Sequence, residues 1–258
     1  MSVSKWIGAS LGWSFGGPIG AIIGLALGSI IDGLAGNKSN PLLGERQTRS
    51  QGTYRTRPQQ QQRPQTQSGD FEVSLLVLAS IIIKADDHQD QRELDFVRQQ
   101  FTSMYGKERS NHAFKLFKSI SKQQISTRQV CLQIKQMMDH PSRLQLLHFL
   151  FGIAKADSMV TETEIRQIYT ISGYLGISSR DFESIKAMFY NSKENAYKIL
   201  EIPKTATVAE IKAAYRKMAK KYHPDKVIHL GKEHQKGAEE KFRQVQEAYE
   251  AIQKEKGF

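Results

Sequence analysis

Residues 207–226 read TVAEIKAAYRKMAKKYHPDK, and residues 239–253 read EEKFRQVQEAYEAIQ. In the first stretch Ile211, Tyr215, Met218, Ala219 and Tyr222 recur at spacings of three and four, which predicts one buried stripe on an α-helix. Lys212, Arg216, Lys217, Lys220 and Lys221 fall on the remaining face. Thr207 and Glu210 have capping-box spacing at the start of this helix. Pro224 disfavours helical geometry at His223 and so ends it. Phe242, Val245, Tyr249 and Ile252 form a second stripe. The reading is a helical hairpin with His-Pro-Asp at the start of its connection. A short apolar helix, NAYKILEI, precedes it with Tyr197, Leu200 and Ile202 inward. Val227 to Gly237 is expected as a long loop with His229 and His234 solvated.

Upstream, residues 70–192 are also read as all-α, because no segment alternates with period two. FEVSLLVLASIIIKA (71–85) is apolar almost all round, which predicts a central buried helix. Amphipathic stretches follow at 91–105, 111–121, 125–138, 141–156, 162–175 and 179–190, with Gly106, Pro141, Gly173 and Gly176 marking breaks. KADDHQDQRE at 84–93 recurs as KADSMVTETE from Lys155. Asp86, Asp87, Asp90 and Glu93 in one copy, with Asp157, Glu162 and Glu164 in the other, are oxygen ligands suited to Mg²⁺ or Ca²⁺ if the loops meet. Helix capping by Asp90 with Glu93, and by Thr161 with Glu164, accounts for the same residues without a metal. Their spacing is not that of an EF-hand.

The amino-terminal segment differs in kind. Trp6 to Ile31 is 26 residues without a charge. As a helix it would be about 39 Å long, enough to cross a hydrocarbon core of about 30 Å. Gly8, Gly12, Gly16, Gly20, Gly24 and Gly28 recur at every fourth position, a row that lets another helix backbone approach closely. Pro18 is expected to kink this helix without ending it. Lys5 precedes it, whereas Lys38, Arg46, Arg49, Arg55, Arg57 and Arg63 follow, so the positive-inside rule puts the carboxy-terminal bulk in the cytoplasm. Residues 37–69, rich in Gln, Arg and Pro, are read as a disordered linker.

The formal charge of +11 suggests nucleic acid at first sight. It divides into about +5 over residues 1–69, +1 over 70–192 and +5 over 193–258. The linker arginines lack interleaved aromatics apart from Tyr54, so nucleic-acid binding is not expected. Cys131 is the single cysteine, which excludes an internal disulfide and a thiolate zinc site.

KAAYRKMAKKYHPDK together with KFRQVQEAYEAI resembles the J-domain of DnaJ-type Hsp70 co-chaperones. That resemblance implies that His223, Pro224 and Asp225 trigger ATP hydrolysis by Hsp70. It also implies that Tyr222, Lys212, Arg216, Lys217, Lys220, Lys221 and Lys226 dock on an acidic Hsp70 surface. The duplicated KAD…E units resemble the TerB tellurite-resistance domain. In that family the paired acidic positions are linked to divalent cations, which would map to Asp86, Glu93, Asp157 and Glu164.

The whole order resembles the DjlA-like family of membrane-anchored DnaJ co-chaperones. The architecture expected is all-α, with a single transmembrane helix in 1–36, a linker at 37–69, a TerB-like bundle at 70–192 and a J-domain hairpin at 193–258. The function implied is that of a non-enzymatic, homodimeric regulator recruiting DnaK to the cell inner membrane. No cofactor is expected apart from the divalent cation raised above. An alternative is a metal- or stress-sensing adaptor acting through the TerB-like domain.

Overall fold

The computed structural model describes residues 17–27, 68–84, 91–156, 160–190 and 193–258. Helices apolar on every side have to lie in the middle of a bundle. Two such helices, α2 (Ser68–Ile82) and α5 (His140–Ala154), pack against each other at the centre. They bury Phe71, Leu75, Leu78, Leu147, Leu150 and Phe151 almost completely. Asp139 caps α5 by accepting the Ser142 N–H at 2.9 Å, and Pro141 sits in its first turn, where a missing N–H costs nothing.

The amphipathic helices wrap this centre. α3 (Gln91–Ile120) changes direction at Gly106 (φ 79°, ψ 167°), so it is the two arms expected on either side of that glycine. α4 (Thr127–Met137), α6 (Glu162–Tyr174) and α7 (Ser179–Ala187) complete the layer. Gly176, at φ 68°, supplies the left-handed turn beyond α6. Cys131 is fully buried, and burial pushes its thiol up to about 12, which leaves it unreactive.

The last part of the chain contains α8 (Lys193–Ile199), α9 (Val208–Lys221), a 3₁₀ turn (Pro224–Leu230) and α10 (Lys232–Lys256). Tyr215 and Tyr249 stack at 4.3 Å between ring centroids and hold α9 against α10. The long loop expected over 227–237 is absent. The 3₁₀ turn fills its first half, Gly231 at φ 105° breaks the path, and α10 resumes at Lys232. The hairpin docks on the bundle, the 3₁₀ turn against α2 and α5, α8 against α7, and α10 against α3.

α1 covers residues 17–27. Gly17 has φ +60° and Pro18 stands in the first turn of this described stretch, while the longer helix expected over Trp6–Ile31, with its kink at Pro18, lies largely outside the described residues. Ile19, Ile22, Ile23 and Ala26 are buried in the common core. Gln133 Oε1 accepts from the Ile19 N–H at 2.8 Å, and Gln123 Nε2 donates to the Ile22 carbonyl at 3.1 Å. Among the described residues no helix is long and apolar enough to cross a membrane. Gly8, Gly12, Gly16 and Gly28 lie outside the described residues, as does most of the 37–69 linker. The described residues contain no strand.

Candidate functional site

The His-Pro-Asp turn lies where α9 stops. α9 opens with the capping box expected from the sequence. The Thr207 N–H donates to Glu210 Oε2 at 2.8 Å, and the Glu210 N–H donates to Thr207 Oγ1 at 3.3 Å. The Thr207 N–H and hydroxyl, both donating to Oε2, hold the Glu210 carboxyl below its ordinary range. After the fourteen residues of α9, Tyr222 leaves helical geometry, and His223 turns to extended backbone (φ −60°, ψ 133°), as a residue before proline must.

His223 then caps the 3₁₀ turn. The Asp225 N–H donates to His223 Nδ1 at 3.3 Å, and the Asp225 carboxylate lies 3.4 Å from the same nitrogen. The imidazole meets the Phe242 ring edge-on at 5.7 Å, which fixes its plane from the α10 side. The His223 and Asp225 side chains remain 49% and 78% exposed. The turn therefore holds two polar groups rigidly and leaves both open to a partner.

Lys212, Arg216, Lys217, Lys220 and Lys226 are exposed beside it, as the hairpin pattern predicts. Two members of the expected docking set are placed differently. Tyr222 is only 3% exposed, and burial, the largest influence, raises its phenol well above the ordinary range. It supports the turn from within and presents no surface to a partner. Lys221 also turns inward, ion-paired to Asp181 of α7 and, at 2.6 Å, to Glu201.

Glu201 is the one described non-glycine residue with positive φ (59°). It occupies the left-handed position after α8, where the Ile202 N–H reaches back to the Tyr197 carbonyl at 3.0 Å. Lys217, at 3.2 Å, and Lys221 hold its carboxylate there. Burial raises the Asp181 pKa. Hydrogen bonds from His140 and Lys221, the charge of Lys221 and the Ser178 hydroxyl outweigh that effect and keep Asp181 well below the usual carboxylate range. Sequence reasoning passed over Asp181, Glu201, His140 and Arg180, because no local spacing links them to α9.

His229 is a further correction to the sequence reading. It is not merely solvated: its Nε2 lies 3.1 Å from Asp139 Oδ2 and 3.3 Å from Ser142 Oγ, which ties the 3₁₀ turn to the start of α5. The His234 side chain lies outside the described residues. Deeper in the same contact, Lys241 is 2% exposed and burial pulls its ammonium down to about 7. Burial, then the charge of Lys241, lowers His148 to about 3, partly opposed by a hydrogen bond with Gln244.

The four proposed cation ligands do not assemble within the described structure. Asp86 and Asp157 lie outside the described residues. Glu164 closes the capping box of α6, with Oε2 accepting from the Thr161 N–H at 2.7 Å and its own N–H donating to Thr161 Oγ1 at 3.2 Å. Glu93 is buried in the first turn of α3. Among the described residues no group of three His, Cys, Asp or Glu is placed to hold a metal.

Three family models match the chain in succession. Residues 1–51 match the co-chaperone DjlA transmembrane domain, 72–187 the tellurite resistance protein TerB, and 195–257 the DnaJ domain. Among characterised relatives, a segment of 64 residues is 48% identical to "Chaperone protein DnaJ" of Mesomycoplasma hyopneumoniae, covering 25% of this chain and 17% of that protein. A segment of 60 residues is 57% identical to the DnaJ of Erysipelothrix rhusiopathiae, covering 23% of this chain and 15% of that one. A third, of 61 residues, is 52% identical to the DnaJ of Bacillus velezensis, covering 24% and 15%. The chain thus spans about a sixth of these relatives. No solved structure matches.

Proposed function

We propose that this chain, whose three family matches in their order are those of a DjlA-like co-chaperone, regulates an Hsp70 at a membrane. Its J-domain would stimulate ATP hydrolysis by DnaK, while the nucleotide and its chemistry stay in the partner. The reading rests on one observation: the exposed His223–Asp225 turn, braced by Phe242, lies beside the exposed basic face of α9. Basic residues steer an acidic partner to the surface, and a pre-formed turn then engages without ordering cost. Steady-state ATPase of the cognate DnaK with the full chain tests this. Stimulation is expected with the wild type and is lost with His223→Gln; equal stimulation by both would overturn the mechanism.

Anchoring would come from residues 1–36, with one crossing of the inner membrane and the carboxy-terminal domains in the cytoplasm. The match to a DjlA transmembrane domain and the arginine bias after Ile31 support this. Insertion requires α1 to leave the bundle, since the face carrying Ile19, Ile22 and Ile23 cannot meet lipid and core together. Pairing of two copies would follow the glycine row. Replacing Gly16, Gly20 and Gly24 by Leu should weaken the dimer in detergent, read by light scattering; an unchanged dimer would move the interface elsewhere.

A further inference from the structure

Resting on the Hsp70 reading above, we infer that the helical bundle supplies part of the docking surface, and that an acidic segment of Hsp70 seats in a cleft between α9 and α7. The cleft has a volume of about 510 Å³. α9 and the 3₁₀ turn contribute Lys217, Lys220, Lys221 and Lys226 to it, and the bundle contributes His140, Arg180 and Asp181. Its two carboxylates, Asp181 and Glu201, are already engaged by Lys221, with His140 3.4 Å from Asp181 and Lys217 3.2 Å from Glu201. Arg180, Lys220 and Lys226 have no ion-pair partner among the described residues and are exposed. The field left over is positive and comes from both parts of the chain.

α5 and α7 begin at this cleft while α8 and α9 end beside it, so the helix dipoles oppose one another and the side chains set the sign. Lys226 follows the His-Pro-Asp turn directly, so a segment lying in the cleft reaches that turn as well. Charge complementarity therefore selects a carboxylate-rich protein surface. The internal pairs of Lys221 also fix the cleft walls relative to each other, so the two cationic sets keep one spacing. An isolated hairpin would lack Arg180 and this fixed geometry.

Titration of the full chain into the DnaK ATPase assay separates the contributions. Arg180→Glu is expected to raise the concentration for half-maximal stimulation about tenfold, with the maximum retained, because a like charge is set against the acidic segment. Arg166→Glu, an exposed change on α6 away from the cleft, should leave that concentration unchanged. Thermal melts check that both variants fold. If Arg180→Glu matches wild type while His223→Gln is inactive, the cleft proposal fails and the Hsp70 reading stands. If His223→Gln is as active as wild type, the Hsp70 reading itself fails. Loss of binding to phosphatidylglycerol vesicles by Arg180→Glu, with stimulation unchanged, would make the cleft a membrane contact and overturn the proposal.

Discussion

The hairpin of α9 and α10 and the bundle around α2 and α5 are both all-helical, yet they use their surfaces in opposite ways. α9 buries a single stripe, with Ile211 and Met218 fully inside, and leaves its basic residues in water. α5 buries residues on all sides, including Ser142, Gln145 and His148. The hairpin thus offers chemistry outward, whereas the bundle keeps its polar groups within contacts between elements. Where the two meet, the bundle turns Lys221 away from solvent, takes up His229 and helps to enclose Lys241. A motif can be intact in sequence while its neighbours decide which members face a partner.

The sharpest way to test that contrast is His223→Gln, which should abolish stimulation of the DnaK ATPase and leave the thermal midpoint unchanged. The ring is half exposed and packs on Phe242 alone among the described aromatics, so little folding energy depends on it. A large loss of stability would break the comparison, because the turn would then be structural.

Lys241 gives the reverse case, a residue of the hairpin with its effect on folding. Its pKa falls from 10.5 to about 7 on burial. Between those values the unfolded chain binds the proton that the folded chain has released, so the contribution of Lys241 to stability rises with pH across that window. Lys241→Met should therefore stabilise the protein at pH 7 by about 2 kcal/mol, with the gain shrinking towards pH 10. Urea melts at pH 7 and pH 9.5 read both effects. His148 acts on the acid side: its pKa is lowered from 6.5 to about 3, so stability is lost as pH falls through that interval. A flat wild-type profile from pH 7 to 8.5, below the range where the raised Cys131 and Tyr222 weigh the other way, would remove the buried ammonium from the account.

Thr161→Ala in the bundle and Thr207→Ala in the hairpin give the smallest effect. Both threonines cap helices through matching boxes with Glu164 and Glu210. Each change should cost about 1 kcal/mol in a denaturant titration. Unequal losses would show that burial of Glu164, at 3% exposure, makes the bundle cap more valuable than the exposed one.

Much of this was legible along the chain. The stripes of α9 and α10, the two capping boxes, the break at Gly106 and the buried centre from Phe71 to Ile83 follow from spacing within a few residues. The ion pairs that turn Lys221 inward were not, because they join residues 181, 201 and 221. The placement of α1 was also hidden. A Gly-rich apolar helix satisfies the same pattern in lipid or against Gln123 and Gln133 of a protein core.

By itself the sequence determined the helices, their apolar faces and the His-Pro-Asp turn, since hydrogen bonding and side-chain periodicity act over three or four residues. Only the tertiary structure decided that Lys221 faces inward, that His229 ties the turn to α5, and that Arg180 stands beside the basic face of α9. Those outcomes depend on which elements share a boundary. Burial and charge pairing across that boundary join residues far apart in the chain, and no local period records them.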